Sequence, residues 1–190
     1  MNKSLVAVAL AATSFVLPAA ASAAPSVLTV DLEKVLSECT ACRAAATAIQ
    51  GQVQAGQTRA QALEAQLKPE AQAIETAARG LNGKEPDAAL KKRASDFQAR
   101  QQAAQTELAS KQRAIESTQA NVQQQIASRV VLIAEQIRVR RQADIVIGKN
   151  ATLASNTAGD VTAEVLSTLN SQLPSVSVTP LPQQNRPTGR

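Results

Sequence analysis

The stretch that decides the fold is Gly80-Leu81-Asn82-Gly83-Lys84-Glu85-Pro86, which interrupts a polar run, rich in alanine and glutamine, from Arg43 to Arg141. On both sides of it the apolar residues recur at helical spacing, and neither side contains another Gly-Pro cluster of comparable strength. Two helices joined by one sharp turn run antiparallel. The sequence therefore predicts a helical hairpin with arms over residues 43–124 and a tip at 80–86, projecting on the order of 50–60 Å.

The apolar spacing also predicts how the arms pair. If the chain folds back between Gly83 and Lys84, large residues on one arm face small ones on the other, which lets two helices approach closely. Pro69 predicts a kink or an interrupted hydrogen bond in the first arm, at the level of Phe97 on the second. The expected neighbours are Ala60 with Leu108, Leu63 with Ala104, and Val53 with Ile115.

The remaining segments predict a small body at the base of the arms. The second arm outruns the first, and its surplus, Gln125 to Arg141, is so rich in apolar residues that we expect it inside the body. Asp31 is expected to cap a short helix ending near Glu38, and Asp160 to cap a last helix. We expect this body to comprise residues 24–42 and 125–170, with strands at 27–30, 143–147 and 151–154, followed by a disordered tail at 171–190.

The first residues predict export. Residues 1–23 have a positive start, a short apolar run and a small-residue cleavage site ending at Ala23, as in a signal peptide. We expect cleavage there and a periplasmic location.

Composition excludes several functions. The chain has no histidine, which removes His-based catalysis and His-ligated metals. Phe97 is the one aromatic residue after residue 23, so stacking platforms for nucleic acid are missing despite the net charge of +5. Gly80 and Gly83 flank a turn with no strand before it, so no nucleotide-binding loop is indicated. We expect no cofactor, no metal and no nucleic acid, and we expect oligomerisation because the core fillers are so few.

The hairpin tip contains one candidate binding site. Its basic residues outnumber the nearby Glu85, Asp87 and Asp96. Such an excess favours acidic clients or lipid phosphates, including lipopolysaccharide or an anionic membrane surface; the alternative is a solvated helical face. The candidate client- or anion-binding residues are Arg79, Lys84, Lys91, Lys92, Arg93 and Arg100.

Cys39-Thr40-Ala41-Cys42 is the one sequence with candidate chemistry. A C-x-x-C at a helix start is typical of thioredoxin-like redox sites, but a long polar hairpin follows it instead of a βαβ sheet. We favour a local disulfide between Cys39 and Cys42 at the joint between the short helix and the first arm.

Taken in order, these segments resemble the Skp/OmpH family of periplasmic chaperones. Val27 to Leu36 is similar to the family's first strand and short helix, and residues 143–166 are similar to its closing strands and helix. The arms agree in length and character, and the likeness extends to about Asn170. The resemblance implies a mainly α fold with a small β body and a long antiparallel helical hairpin, or tentacle, projecting from a short-stranded trimerisation body.

The resemblance also implies a function. In the family, a homotrimer holds unfolded outer-membrane β-barrel proteins in a cavity between its arms without ATP, and we expect the same holdase activity here. The alternative is a structural coiled-coil adaptor of the envelope without chaperone activity. A thiol oxidoreductase is a third hypothesis, but we expect no enzyme.

Overall fold

The structure, a computed structural model, describes residues 26–181. The predicted signal peptide with its cleavage site at Ala23, and residues 182–190 of the predicted tail, lie outside this range. The elements follow the predicted order, and the predicted fold class is confirmed. They are β1 (Val27–Val30), α1 (Leu32–Glu38), α2 (Thr40–Gly80), α3 (Ala88–Arg140), β2 (Ile145–Gly148), two 3₁₀ turns (Lys149–Ala151 and Thr157–Gly159), and α4 (Thr162–Gln172).

The turn between the arms has the predicted chemistry. Asn82 and Gly83 have positive φ angles of 48° and 86°, a backbone region that asparagine tolerates and glycine adopts freely. Asp87 then caps α3, because its side chain accepts a hydrogen bond from the Leu90 N–H at 2.7 Å. The fold-back therefore depends on a few local residues.

The seam between α2 and α3 is thin and has the predicted register. Between residues 46 and 117 the buried side chains are Leu63 and Ala104, one of the predicted large–small pairs. Arg59 Nε lies 2.7 Å from Glu107 Oε1 across the seam, and this pair lowers the pKa of Glu107. One cavity, lined in part by the other predicted neighbours, runs along the same level: Val53, Ala60, Leu108 and Ile115.

Pro69 lies inside the first arm without ending it, and the kink expected there stays a prediction. Helix α2 continues through it as one element. A proline removes one N–H from the helical ladder, but the bonds on either side remain. Phe97, expected at this level, is half-buried.

The body core forms where one face of α3 meets α1, α4 and β1. Ile133, Ile137, Val35, Val165 and Leu169 are all fully buried there. The apolar surplus of α3 is only partly interior, which corrects the expectation for residues 125–141. Its opposite face remains exposed in the single chain: Val131 (67%), Leu132 (55%) and Val139 (60%).

The sheet has two parallel strands, β1 and β2, with Val27 opposite Ile145 and Val30 opposite Gly148. The predicted strand at 143–147 begins two residues late, and the predicted strand at 151–154 was wrong. Residues 149–151 coil into a 3₁₀ turn, and Leu153 projects fully into solvent. The free edge of β1 is instead met at Asp160, which bridges Thr29 in parallel, and the Val161 N–H donates to the Thr29 carbonyl at 2.9 Å.

Asp160 connects four parts of the body. Its Oδ1 accepts from the backbone N–H and the hydroxyl of Thr162, at 2.9 and 2.5 Å, and that hydroxyl accepts from the Asp31 N–H at 2.9 Å. Its Oδ2 lies 3.0 Å from Lys149 Nζ. These hydrogen bonds from Thr162 and then Lys149 lower the pKa of Asp160 to about 2. The N-cap residue of α4 is Val161, so Asp160, which was predicted to cap this helix, lies one residue before the cap position.

The expected tail disorder does not hold for residues 171–181. Helix α4 continues to Gln172, and the chain after it lies along the root of the hairpin, with Leu173, Val176 and Val178 half-buried against the core. The two valines of this segment alternate with hydroxyl residues, so one side of an extended chain is apolar. We call residues 173–181 the strap.

Protonating Asp160 should loosen the body. Its depressed pKa means that its stabilising contribution is present above the unfolded value near 3.9 and is lost as the pH falls toward 2. We expect the free energy of unfolding, measured by urea titration followed by circular dichroism, to fall by about 1–2 kcal/mol through this group between pH 5 and pH 2. In Asp160→Ala that component of the pH dependence should vanish; an unchanged pH profile in the variant would contradict this role.

Candidate functional site

Five of the six basic residues predicted at the hairpin tip have carboxylate partners. Arg79 pairs with Glu75, Lys91 with Glu85, and Lys92 with Asp96 at 2.7 Å. Arg93 and Arg100 both reach Glu70 on the opposite arm. Within residues 26–181, Lys84 has no such partner.

Glu70 was missed at the sequence level. It lies on α2, far in sequence from Arg93 and Arg100 on α3, and only the fold-back brings the three together. Its Oε1 lies 3.7 Å from Arg93 Nε and its Oε2 lies 2.5 Å from Arg100 Nη2, with the Glu70 side chain 20% exposed. The expected pairing register contained the information to find this contact.

These pairs change the electrostatics of the tip. The predicted excess of basic charge counted Glu85, Asp87 and Asp96, whereas Glu70 and Glu75 lie in the same cluster. The local charge is therefore nearly balanced. Because exposed pairs of this kind are screened by salt and individually weak, the cluster resembles a solvated, cross-linked helical end more than a strong anion site.

Replacing tip lysines should therefore have little effect on binding of an unfolded acidic polypeptide. For the double variant Lys84→Ala, Lys91→Ala we expect a change in Kd of less than about threefold at physiological salt. Fluorescence anisotropy with a labelled, unfolded outer-membrane protein measures it. A loss of tenfold or more that disappears at high salt would instead establish the tip as an anion-binding site.

Cys39 and Cys42 are joined as a disulfide at the joint between α1 and α2, with their Cα atoms 5.1 Å apart. Cys39 also caps α2, because its sulfur accepts from the Cys42 N–H at 3.2 Å. Cys39 is fully buried and Cys42 nearly so. A sulfur without solvent access is poorly placed for exchange with a substrate disulfide, so the geometry favours a structural bond over a redox site.

A second contact fixes the same joint. The Thr40 N–H, at the start of α2, donates to Asn170 Oδ1 on α4 at 2.8 Å. The first arm is therefore attached to the body both covalently and by a hydrogen bond. Within residues 26–181 no group of three or more His, Cys, Asp or Glu is arranged to hold a metal ion.

In protein isolated from the periplasm, neither cysteine should react with iodoacetamide before reduction, as measured by mass spectrometry. Replacing both with alanine should lower the free energy of unfolding by only on the order of 1–2 kcal/mol, because so short a loop restricts the unfolded chain little. Two free thiols in the untreated protein would contradict the disulfide.

The body carries an apolar groove of about 410 Å³ beside the exposed face of α3. Leu32 and Leu36 of α1 form one wall and Val131 of α3 another, and all three are more than 40% exposed. A continuous apolar surface of this kind on a protein this poor in core residues is typical of an association surface. Val27 and Ile145, at the start of the two paired strands, extend the exposed apolar surface of the body.

The fold and these surfaces define a class of protein: a small body from which a long, thinly seamed helical hairpin projects. None of the helices described is long and apolar enough to cross a membrane. The sequence matches the family described as outer membrane protein (OmpH-like) over residues 26–169. The chain belongs to this OmpH-like family.

A solved structure has the same fold. It is that of a candidate outer membrane chaperone (OmpH-like) from Caulobacter crescentus, with a TM-score of 0.69 and 17% sequence identity, covering 90% of this chain and 100% of that one. No curated protein sequence matches this chain significantly.

Proposed function

We propose that this protein is an ATP-independent periplasmic holdase that binds unfolded outer-membrane β-barrel proteins between the arms of a trimer and prevents their aggregation. Membership of the OmpH-like family supports a chaperone-type, non-enzymatic role and a periplasmic location. The observation that carries the finer proposal is the hairpin itself: arms of 41 and 53 residues, with almost no buried seam outside the root.

The weak seam suits reversible enclosure. Arms that bury so few side chains between them bend at little cost, because few buried contacts are lost when the helices shift. They offer a client many weak contacts and no deep pocket. A holdase needs this kind of binding, since its clients differ in sequence and must be released without nucleotide hydrolysis.

The trimer is supported by the apolar groove of the body. Leu32, Leu36 and Val131 remain exposed in one chain, and a two-stranded sheet is marginal by itself. A second copy of the same chain is the natural occupant, because ring-like association of identical bodies covers the groove in every copy and leaves all arms on one side. Lipopolysaccharide or an anionic membrane surface is a weaker proposal, since the tip basic residues are largely paired.

Two measurements test the function. Light scattering should give three chains per particle, and the protein should keep a urea-diluted porin soluble at a near-stoichiometric ratio. A monomer, or a trimer that leaves the porin aggregating, would contradict the holdase. The second result would favour the structural adaptor.

The association surface can be tested in the same assays. Val131→Glu places a charge in the groove, so we expect monomers and loss of porin protection together. Leu153→Glu is the matched control, because Leu153 is a fully exposed apolar residue outside the groove. Trimers in both variants would place the interface elsewhere.

A further inference from the structure

The strap is held on α3 through its backbone. Four of its hydrogen bonds come from three side chains spaced four residues apart on α3. Gln125 holds both backbone groups of Ser177: its Oε1 accepts from the N–H at 2.9 Å, and its Nε2 donates to the carbonyl at 3.0 Å. Asn121 Nδ2 donates to the Thr179 carbonyl at 2.9 Å, and Ser117 Oγ accepts from the Leu181 N–H at 3.0 Å.

The spacing of this row matches that of an extended chain. Four residues of an α-helix rise about 6.0 Å, and two residues of an extended strand rise about 6.6 Å. Successive side chains of this row therefore contact every second residue of the strap. Gln125 Nε2 also lies 3.1 Å from Asn121 Oδ1, and this contact orients the two amides relative to each other.

The other arm completes a groove. Gln52 Nε2 of α2 donates to the Val178 carbonyl at 3.2 Å, and the Val176 and Val178 side chains are half-buried between the helices. Every polar contact from the helices to the strap goes to its backbone. This groove therefore recognises an extended chain that has apolar residues at alternate positions. It does not require particular polar residues between them.

This pattern is that of a transmembrane β-strand, in which apolar and polar residues alternate. The strap itself reads Val176-Ser177-Val178-Thr179, between Pro174 and Pro180. We propose that Gln52, Ser117, Asn121 and Gln125 form a main-chain binding groove for extended segments of unfolded β-barrel clients, which the strap occupies until a client displaces it. This inference rests on the proposed holdase function and adds to it a defined site at the hairpin root.

Displacement is physically accessible. The strap is attached at one end only within the described chain, through α4, and it buries three side chains partially. Each hydrogen bond of this type contributes little in net terms, because a released backbone group bonds to water instead. A client segment that makes the same backbone contacts replaces them one for one.

The test releases the strap in the full-length chain. Val178→Asp puts a carboxylate at a half-buried position of the strap, where it should weaken the strap's contact with the groove. Ser175→Asp adds the same charge at an exposed strap position and serves as the matched control. The probe is a fluorescent nonapeptide with the sequence of Leu173 to Leu181, followed by anisotropy. We expect Val178→Asp to bind it at least tenfold more tightly than the wild type or Ser175→Asp.

Adding Gln125→Ala to Val178→Asp should weaken the peptide at least fivefold, whereas adding Gln124→Ala, an exposed neighbour, should not. Equally weak binding by the wild type and Val178→Asp would overturn the groove. If Val178→Asp does not fold, the single variant Gln125→Ala decides: its Ser177 and Leu181 amides should exchange hydrogen faster than in Gln124→Ala, and equal rates would overturn the groove.

Unfolded porin should displace the peptide from Val178→Asp, and failure to do so would mean that the groove accepts the strap alone. The wild type in the porin solubility assay separates the two proposals. Peptide binding without porin protection would support the groove and contradict the holdase function. Porin protection without peptide binding would support the holdase function and contradict the groove.

Discussion

The structure depends on the burial of one face of α3 at the root of the hairpin. Ile133 and Ile137 are inaccessible to solvent, and residues from α1 and α4 close over them. Because large apolar side chains are scarce in this chain, this small cluster holds almost all of the fully buried apolar surface. The arms beyond this cluster bury few side chains between them, so their position depends on the packing of the hairpin root. The disulfide at Cys39 and the hydrogen bond from Thr40 to Asn170 fasten the first arm, α2, to the same cluster.

The sequence predicted most of the architecture because its strongest signals are local. Glycine and proline at 80–86 indicated the turn, Asp31 was a recognisable cap, and periodic apolar residues gave the arm register. It failed where the outcome is set by distant partners. Residues 151–154 were expected to form a strand, but the chain coils into a 3₁₀ turn at 149–151 and leaves Leu153 fully exposed, while the distant Asp160 bridges β1. The strap looked disordered by composition, and nothing local indicated the Gln125 and Asn121 side chains that bind it.

For the candidate sites, too, local motifs could be predicted from the sequence, whereas contacts between distant residues could not. The cysteine pair was visible as a motif, because its two members are only three positions apart. The charge at the tip was misjudged because Glu70 is distant in sequence from the arginines that it neutralises. The apolar groove on the body combines α1, α3 and β2, so no single stretch of sequence contains it. Family membership then supplies the class of function that neither local motifs nor grooves could specify.

The parallel pairing of β1 with β2 has a consequence for the order in which the chain acquires structure. Ser26 and Asp144, hydrogen-bonded at the edge of this sheet, are 118 residues apart. Strand β1 is synthesised before both arms, yet its partner β2 follows them in the chain. Nearest-neighbour contacts form faster than distant ones, so the hairpin turn and arms precede the base. The base is thus completed only after the entire length of the arms has been synthesised, so a chain that stops within the arms lacks the partner strand of β1.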